Sequence, residues 1–527
     1  MDPVDTFELV LALLAVVVAL HWVSQRIGLP PSIALLIGGG ALAFVSSLPP
    51  VELDPELALV LFLPPLVMDG AYYTALGRFR RHLPGILSLA IGAVIFTTLA
   101  VGLVVRWLVP TLPWAACFAL GAIVSPPDAI SARAVLQRVT LPRRLSALLE
   151  GESLLNDATG LVLFRFAVAA ALSGAFDAGA AVSAFAWHAL GGIVAGLAVS
   201  GIWIFAVRHL RDSTLIIMAN TLMCWVAYIA AETIHVSGVI ATVVAGLVLG
   251  WYQHIVLPAR VRLRGAVVWQ TMVFVLEALV FILIGFSLRG VLDRVGGIEA
   301  VSETMAVPVT GTVLAVIAAR FLWVFGTDLV QYALCAMGFR YPRPLGPRKA
   351  TVLSWTGMRG VVTLAVALSL PASMPGRDLM LVTAFAVIFV TVVLQGASLG
   401  WLIRLLQPAD RDPPAKMNLA ETHAAIVCAR ATAMEAHAYA PDGTLIHPYL
   451  LDESRKRLEI VQRYAMDDNA YAADFRLHFD VQQRTLAAGR SELLRIHRAG
   501  LIEDEVLHAL EHDLDVEELA IILRRGD

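Results

Sequence analysis

The sequence predicts an all-α polytopic membrane protein, with about thirteen transmembrane helices in residues 1–409 and a soluble helical domain in residues 410–527. Three observations predict this architecture. Hydrophobic residues make up 58% of the 527 residues and charged residues only 15%, whereas a soluble globular protein has roughly 25% charged residues. Residues 410–527 nevertheless hold 36 of the 81 Asp, Glu, Lys and Arg residues. The rest of the chain divides into apolar segments of about the 20 residues that a helix needs to cross a bilayer.

Thirteen segments satisfy that length criterion. The N-terminal one follows two aspartates rather than the positive region of a signal peptide, so it is expected to remain a membrane span. The segments lie near residues 7–24, 31–48, 56–76, 84–108, 114–137, 146–170, 181–207, 214–232, 236–252, 268–288, 308–336, 350–371 and 379–405.

Basic residues predict the orientation, because short loops rich in Lys and Arg stay on the cytoplasmic side. They are concentrated in alternate loops, for example Arg78, Arg80 and Arg81 in one and Arg348 and Lys349 in another. This places the N-terminus outside. An odd number of spans then places the tail in the cytoplasm. The expected location is the cell (inner) membrane, with multiple passes through it.

The net charge argues against a nucleic-acid-binding protein, and the cysteine content argues against a zinc- or disulfide-stabilised one. The net charge is −3, without a long basic tract, so no nucleic-acid partner is expected. The four cysteines are isolated from one another, which predicts neither a zinc site nor a disulfide framework. No cofactor is expected.

The fifth span contains the sequence Ser125-Pro126-Pro127-Asp128. Two consecutive prolines remove two backbone donors and clash with the preceding turn, which predicts an interrupted helix. Backbone groups released at membrane depth must line a cavity or contact protein. An acid directly after the interruption favours an ion site over a simple kink.

The sixth span carries polar residues at helical spacing near its centre. Ser153 and Asp157 are four residues apart, as are Glu152 and Asn156, so each pair shares a helix face. Carboxylate, hydroxyl and carbonyl oxygens are suitable ligands for hard monovalent cations. The patch therefore predicts a cation and proton site at Asp157. The alternative is a polar network that holds helices together, and it applies to Glu152 more than to Asp157.

The twelfth span places Arg359 between Gly357 and Gly360. Because an unpaired buried charge is costly, we predict a structural ion pair with Glu277, which lies at similar depth in the tenth span. Interruptions at corresponding places of two halves are typical of inverted-repeat transporters.

Three further charged residues within spans are interpreted either as interhelical ties or as residues facing an aqueous vestibule; they are Arg165, Arg320 and Asp328.

Four motifs together resemble the NhaP-type monovalent cation/proton antiporters, which are related to the animal sodium/proton exchangers. The resemblance covers residues 7 to about 405. The motifs are Gly151-Glu-Ser-Leu-Leu-Asn156-Asp157, Pro126-Pro127-Asp128, Leu63-Pro64-Pro65 before Asp69, and Gly357-Met-Arg359-Gly360. The resemblance implies a homodimer of thirteen-span protomers, each with a mobile core part that contains two crossed, interrupted helices.

The resemblance also implies roles for individual residues. The aspartate at 157 would bind the cation and the proton in turn, with a hydroxyl from Ser153. Glu152 and Asp128 would support the site through water. Asn156 would order the core, and an Asn-Asp pair there goes with electroneutral exchange in this family. Pro127 replaces the threonine that is commonest before the second aspartate, which leaves the preference among Na⁺, Li⁺ and K⁺ open, although its carbonyl could still face the ion.

The expected function is exchange of Na⁺, or else Li⁺ or K⁺, for H⁺, by competition for Asp157 with alternating access in a lipid bilayer. A K⁺/H⁺ exchanger is the nearest alternative. An intramembrane aspartyl protease also needs two acids on neighbouring spans, but it predicts fewer spans and a Gly-x-Gly-Asp motif, which this sequence lacks. An ion channel would conduct without coupling, whereas an interrupted helix beside a single central carboxylate favours binding and alternation.

Overall fold

The computed structural model describes residues 3–45, 55–128, 141–174, 178–339, 344–410, 417, 419–465 and 468–525. These residues are predominantly helical, with one isolated antiparallel bridge between Tyr439 and Leu445. The chain forms two compact units, Met1–Asp412 and Pro413–Asp527.

The described part of the first unit is built from apolar helices. Ten helical stretches are long and apolar enough to cross a membrane. The helices are α1 (Pro3–Ile27), α2 (Pro31–Ala43), α3 (Pro55–Tyr73), α4 (Leu76–Leu87), α5 (Val94–Leu108), α6 (Trp114–Val124), α7 (Arg143–Ser173), α8 (Ala178–His209), α9 (Ser213–Thr233), α10 (Gly238–Val256), α11 (Ala259–Phe286), α12 (Leu288–Val295), α13 (Gly297–Ala300), α14 (Ala306–Ala336), α15 (Pro347–Trp355), α16 (Val361–Leu368), α17 (Arg377–Val390) and α18 (Gly396–Leu406).

The predicted all-α polytopic fold is confirmed, and every predicted span has helix at its position. Two spans are shorter apolar helices in the described residues, namely α2 and α6. The predicted continuation of the fifth span beyond residue 128 lies outside the described residues. The twelfth span is two short helices, α15 and α16, separated by residues 356–360. The helix is therefore interrupted where the glycines around Arg359 predicted it.

Three π-helical segments interrupt the regular winding of the described helices. Ser88–Ala93 joins α4 to α5, Val301–Met305 precedes α14, and Thr391–Gln395 joins α17 to α18. Each inserts a wider turn, and such turns often occur next to functional residues. Two of the three contribute hydrogen-bond acceptors described below, from Ser88 and Thr391.

Glycines allow α2 and α11 to approach backbone to backbone. A Cβ atom at Gly39 would collide with the backbone of Ile282, and one at Gly285 would collide with the carbonyl of Leu36. Small residues at helix contacts are typical of membrane bundles, where close backbone packing replaces the hydrophobic effect as the driving force. The two helices therefore pack closely at this contact.

The described residues of the second unit form four helices: α19 (Leu419–His437), α20 (Pro448–Ala465), α21 (Asp468–Arg498) and α22 (Asp504–Arg525). Exposed ion pairs connect neighbouring helices. Arg490 on α21 contacts Asp515 and Glu518 on α22 at 2.7 and 2.6 Å, and the hydrogen bond to Asp515 raises the pKa of the Arg490 guanidinium above its usual value. Because the pairs are exposed to water and salt, each contributes little to stability.

Candidate functional site

The interruptions of the fifth and twelfth spans contact each other. The backbone N–H of Asp128, just after α6, donates to the carbonyl of Met358 at 2.7 Å. In return, Nε of Arg359 donates to the carbonyl of Val124, the last residue of α6, at 2.7 Å. Backbone groups that lack a partner within the membrane cost several kcal/mol. Each interruption therefore provides hydrogen-bond partners for the other.

Arg359 is 1% exposed, and its hydrogen bonds go to backbone and hydroxyl groups. Its Nη1 donates to the carbonyl of Gly357, and its backbone N–H donates to Oγ1 of Thr391 at 3.0 Å. A guanidinium at the C-terminus of α6 also interacts favourably with the helix dipole. The guanidinium therefore bonds to the end of α6 and to Gly357, and the predicted ion pair with Glu277 is not among its contacts in the described residues. Apolar segments predict the depth of a side chain but not its direction.

The buried ion pair is formed by Glu152 and Arg320 instead. Nη1 of Arg320 contacts Oε1 of Glu152 at 2.5 Å, and Nη2 contacts Oε2 at 2.9 Å. Nε of Arg320 also donates to the carbonyl of Leu353 on α15, at 3.2 Å. Both side chains are buried, at 2% and 3% exposed. The pair ties α7, α14 and α15 together and engages both carboxylate oxygens of Glu152.

Asn156 connects α7 to the interruption after α6. It is fully buried, and its Nδ2 donates to the carbonyl of Pro127. This bond occupies one of the two lone pairs of that carbonyl. The Oδ1 atom of Asn156 has no hydrogen-bond partner among the described residues. The side chain therefore holds the interrupted segment against the middle of α7.

Asp157, Ser153 and Asp128 are all partly buried. Asp157 lies at the centre of α7, one turn after Ser153, and the charge of Asp128 acts on the Asp157 carboxyl group. No described residue forms a hydrogen bond or an ion pair with the Asp157 side chain. This contrasts with Glu152, whose charge is balanced by Arg320. The Asp157 carboxyl group therefore interacts with a second acidic group, Asp128, at the helix interruption, and has no ion pair among the described residues.

Gly360 makes room for Asp128, since a Cβ atom at position 360 would overlap the Asp128 carboxylate. We expect Gly360→Ala to displace Asp128 and to lower the rate of ion exchange at least tenfold, measured as cation-dependent proton flux in proteoliposomes. Gly400→Ala is the matched control, because a Cβ there meets no atom within 4 Å, and it should retain exchange. Equal activity of the two variants would show that the Asp128 position is not critical.

Arg165 and Asp328 each connect their helix to another segment of the chain. Arg165 on α7 contacts Glu232 on α9 at 3.5 Å. The carboxylate of Asp328 on α14 accepts the backbone N–H groups of Leu345 and Gly346 at 2.5 and 3.1 Å, just before α15. Of the two interpretations left open by the sequence, these contacts support the structural one.

The described residues contain no group of three or more His, Cys, Asp and Glu side chains that could hold a metal ion. The oxygen donors near the interruption are instead one or two carboxylates, a hydroxyl and backbone carbonyls. Such a set is suited to weak, reversible binding of a monovalent cation, because it supplies little fixed negative charge. Asn156 and Asp157 are adjacent on α7, and they interact with Pro127 and Asp128 of the interrupted segment. The partners of Glu152 and Arg359 were not predicted.

Comparisons with known proteins identify the family and the fold. Residues 11–405 match the family model of the transmembrane sodium/hydrogen exchangers. An uncharacterised Na⁺/H⁺ exchanger of Mycobacterium bovis is 32% identical, over 97% of this chain and 96% of its own length. A sodium, potassium, lithium and rubidium/H⁺ antiporter of Bacillus pumilus is also 32% identical, over 74% of this chain and 60% of its own length.

A solved structure has the same fold. The sodium proton antiporter NhaP1 of Methanocaldococcus jannaschii superposes with a TM-score of 0.60 at 19% identity, covering 77% of this chain and all of that one. The family match spans most of the chain and includes both interrupted helices. The chain therefore belongs to the sodium/hydrogen exchanger family.

Proposed function

We propose that this protein exchanges a monovalent cation for a proton, with Asp157 as the group that binds the two in turn. One observation carries the proposal: the Asp157 carboxyl group lies in the middle of a spanning helix, interacts with a second acid, Asp128, and has no ion pair among the described residues. A buried carboxylate without a fixed partner is most stable when it binds a proton or a cation.

Competition for one carboxyl group is sufficient for coupling. When a proton occupies Asp157, the cation is released, and the reverse holds on the other side of the membrane. A bare carboxylate at mid-membrane costs at least about 2.5–3.5 kcal/mol, so only the loaded forms would cross. Movement of the core around a fixed site would then alternate access, as in other inverted-repeat transporters.

The proposed cation is Na⁺, with Li⁺ or K⁺ as further substrates and K⁺/H⁺ exchange as the alternative. The names of the relatives support a broad range, since the Bacillus pumilus antiporter is described for sodium, potassium, lithium and rubidium. Pro127 offers only a backbone carbonyl, and this carbonyl already accepts a hydrogen bond from Asn156. Because Asn156 is neutral, one carboxyl group would exchange one cation for one proton, which makes the cycle electroneutral.

We further propose a homodimer in the cell membrane, with the N-terminus outside and residues 410–527 in the cytoplasm. The alternation of basic loops supports this orientation. The separate compactness of Pro413–Asp527 supports a distinct cytoplasmic domain. Ser153 and Glu152, which lie on the same helix as Asp157, and Asp128, just after α6, would assist Asp157.

Proton flux in proteoliposomes tests this function. Vesicles with an internal pH dye and an imposed pH gradient are challenged with NaCl, LiCl, KCl or choline chloride. We expect Na⁺ or Li⁺ to dissipate the gradient, choline to have no effect, and the rate to be independent of an imposed membrane potential. No response to any alkali cation would contradict exchange altogether. A potential-dependent rate would contradict only the electroneutral cycle, and proton flux without added cation would indicate a channel.

A further inference from the structure

A cavity separate from the proposed ion site lies between α4, α7 and α14. Its volume is about 470 Å³, within the range of small-molecule sites. Arg81 and His82 line it from α4, and Arg144 lines it from the N-terminus of α7. No carboxylate is among its described lining residues. The described lining therefore contains three basic side chains and no acidic one, a composition suited to an anion.

One face of α14 forms an apolar wall of this cavity. Leu322, Gly326, Val330 and Leu334 line it at intervals of four residues, which places them in one stripe along the helix. The stripe is about 18 Å long at a rise of 1.5 Å per residue. Leu322 and Val330 are 65% and 58% exposed, so the cavity opens sideways, away from the packed helices. In a membrane, that opening faces lipid.

The basic groups lie at one end of the apolar stripe. Nε1 of Trp323 donates to the carbonyl of Ser88, in the π-helical segment, at 3.1 Å. Arg81 lies seven residues before Ser88 in the chain, and Leu334 lies eleven residues after Trp323, near the C-terminus of α14. Both residues therefore lie towards the same end of the bundle, where α14 is followed by the basic loop before α15. The loops at this end are those that the distribution of Arg and Lys places in the cytoplasm. The charged end thus lies at the level of cytoplasmic lipid headgroups, and the stripe extends towards the membrane centre.

We propose that this cavity binds one anionic phospholipid, with its phosphate on Arg81 and Arg144 and an acyl chain along the α14 stripe. Basic pockets between spanning helices on the cytoplasmic side are the expected sites for such headgroups. Gln331 also lines the cavity, and its buried Oε1 has no hydrogen-bond partner among the described residues. A hydroxyl group on the headgroup would supply that partner, which favours a polyol headgroup such as phosphatidylglycerol.

The test uses the full-length protein, purified in detergent and stripped of lipid, with phosphatidylglycerol or phosphatidylcholine added. Native mass spectrometry counts bound lipid, and thermal unfolding gives the apparent affinity. We expect one phosphatidylglycerol to bind and raise the Tm, and phosphatidylcholine to have little effect. Arg81→Gln with Arg144→Gln should weaken this binding about tenfold or more, as expected for the loss of charge-assisted hydrogen bonds.

Two further variants separate a bound lipid from general attraction to charge. Gly326→Leu fills the stripe without changing charge, and a Cβ there meets no atom within 4 Å, so it should fold normally and also weaken binding. Arg78→Gln with Arg80→Gln removes two exposed charges of α4 that do not line the cavity, and it should bind as the unmodified protein does.

Three results would overturn the proposal. Unchanged binding by both the arginine variant and Gly326→Leu would exclude the cavity as the site. Equal loss in the Arg78 and Arg80 control would indicate nonspecific attraction to a basic surface. Full stabilisation by inorganic phosphate alone would indicate a site for free anions rather than lipid.

Discussion

Asp157→Asn is expected to abolish cation-dependent proton flux while the protein stays folded. The amide matches the carboxyl group in size but neither titrates nor carries charge, so it can neither release a proton nor neutralise a cation. Because Asp157 makes no hydrogen bond or ion pair among the described residues, its replacement should leave the Tm within a few degrees. Flux with Na⁺, Li⁺ and K⁺ should fall to that of protein-free vesicles.

A matched variant, Asp69→Asn, controls for the loss of a buried carboxylate within a span. Asp69 on α3 is 7% exposed and accepts a hydrogen bond from Nε1 of Trp269 at 2.9 Å, which an asparagine oxygen can also accept. We expect this variant to retain exchange. If Asp157→Asn exchanged normally, Asp157 would not be the transport carboxyl group, whatever the result at Asp69.

Arg320→Met is expected to lower the free energy of unfolding of the membrane unit more than any other substitution proposed for it. It leaves the Glu152 carboxylate buried without its guanidinium, and removal of one partner of a buried ion pair typically costs about 3–5 kcal/mol. Thermal or denaturant unfolding in detergent should show this loss. The double variant Glu152→Gln with Arg320→Met removes both charges, and it should recover much of the lost stability, because replacing a whole buried pair is often close to neutral.

The same double variant separates a structural role of Glu152 from a role in ion binding. If Glu152 acts only by tying α7 to α14 and α15, the folded double variant should still exchange cations, with an unchanged cation preference. A normally folded double variant without any flux would show instead that Glu152 belongs to the ion site. A double variant no more stable than Arg320→Met would contradict the pairing as the source of stability.

Much of the fold was predictable because the bilayer imposes a simple rule. The apolar segments had to be helices of roughly 20 residues, and each of the predicted spans has helix at its position. Neighbouring residues of the site were predictable for a local reason: Asn156 and Asp157 are adjacent on one helix, and the prolines before Asp128 predicted an interruption. The partners of the buried arginines were not predictable, since hydropathy and local spacing do not show which faces of distant helices meet.

Two of the proline pairs, Pro64-Pro65 and Pro126-Pro127, separate what the sequence alone determined from what required the tertiary structure. The sequence determined the helical character and depth of each segment, because hydrocarbon demands internally bonded apolar helices. It could not distinguish Pro64-Pro65, which lie within the continuous helix α3, from Pro126-Pro127, which follow the end of α6. Only the tertiary structure decided this, because Met358, Arg359 and Asn156 supply hydrogen-bond partners for the segment after α6. An interrupted helix is stable in a membrane only where other parts of the fold satisfy its released backbone groups.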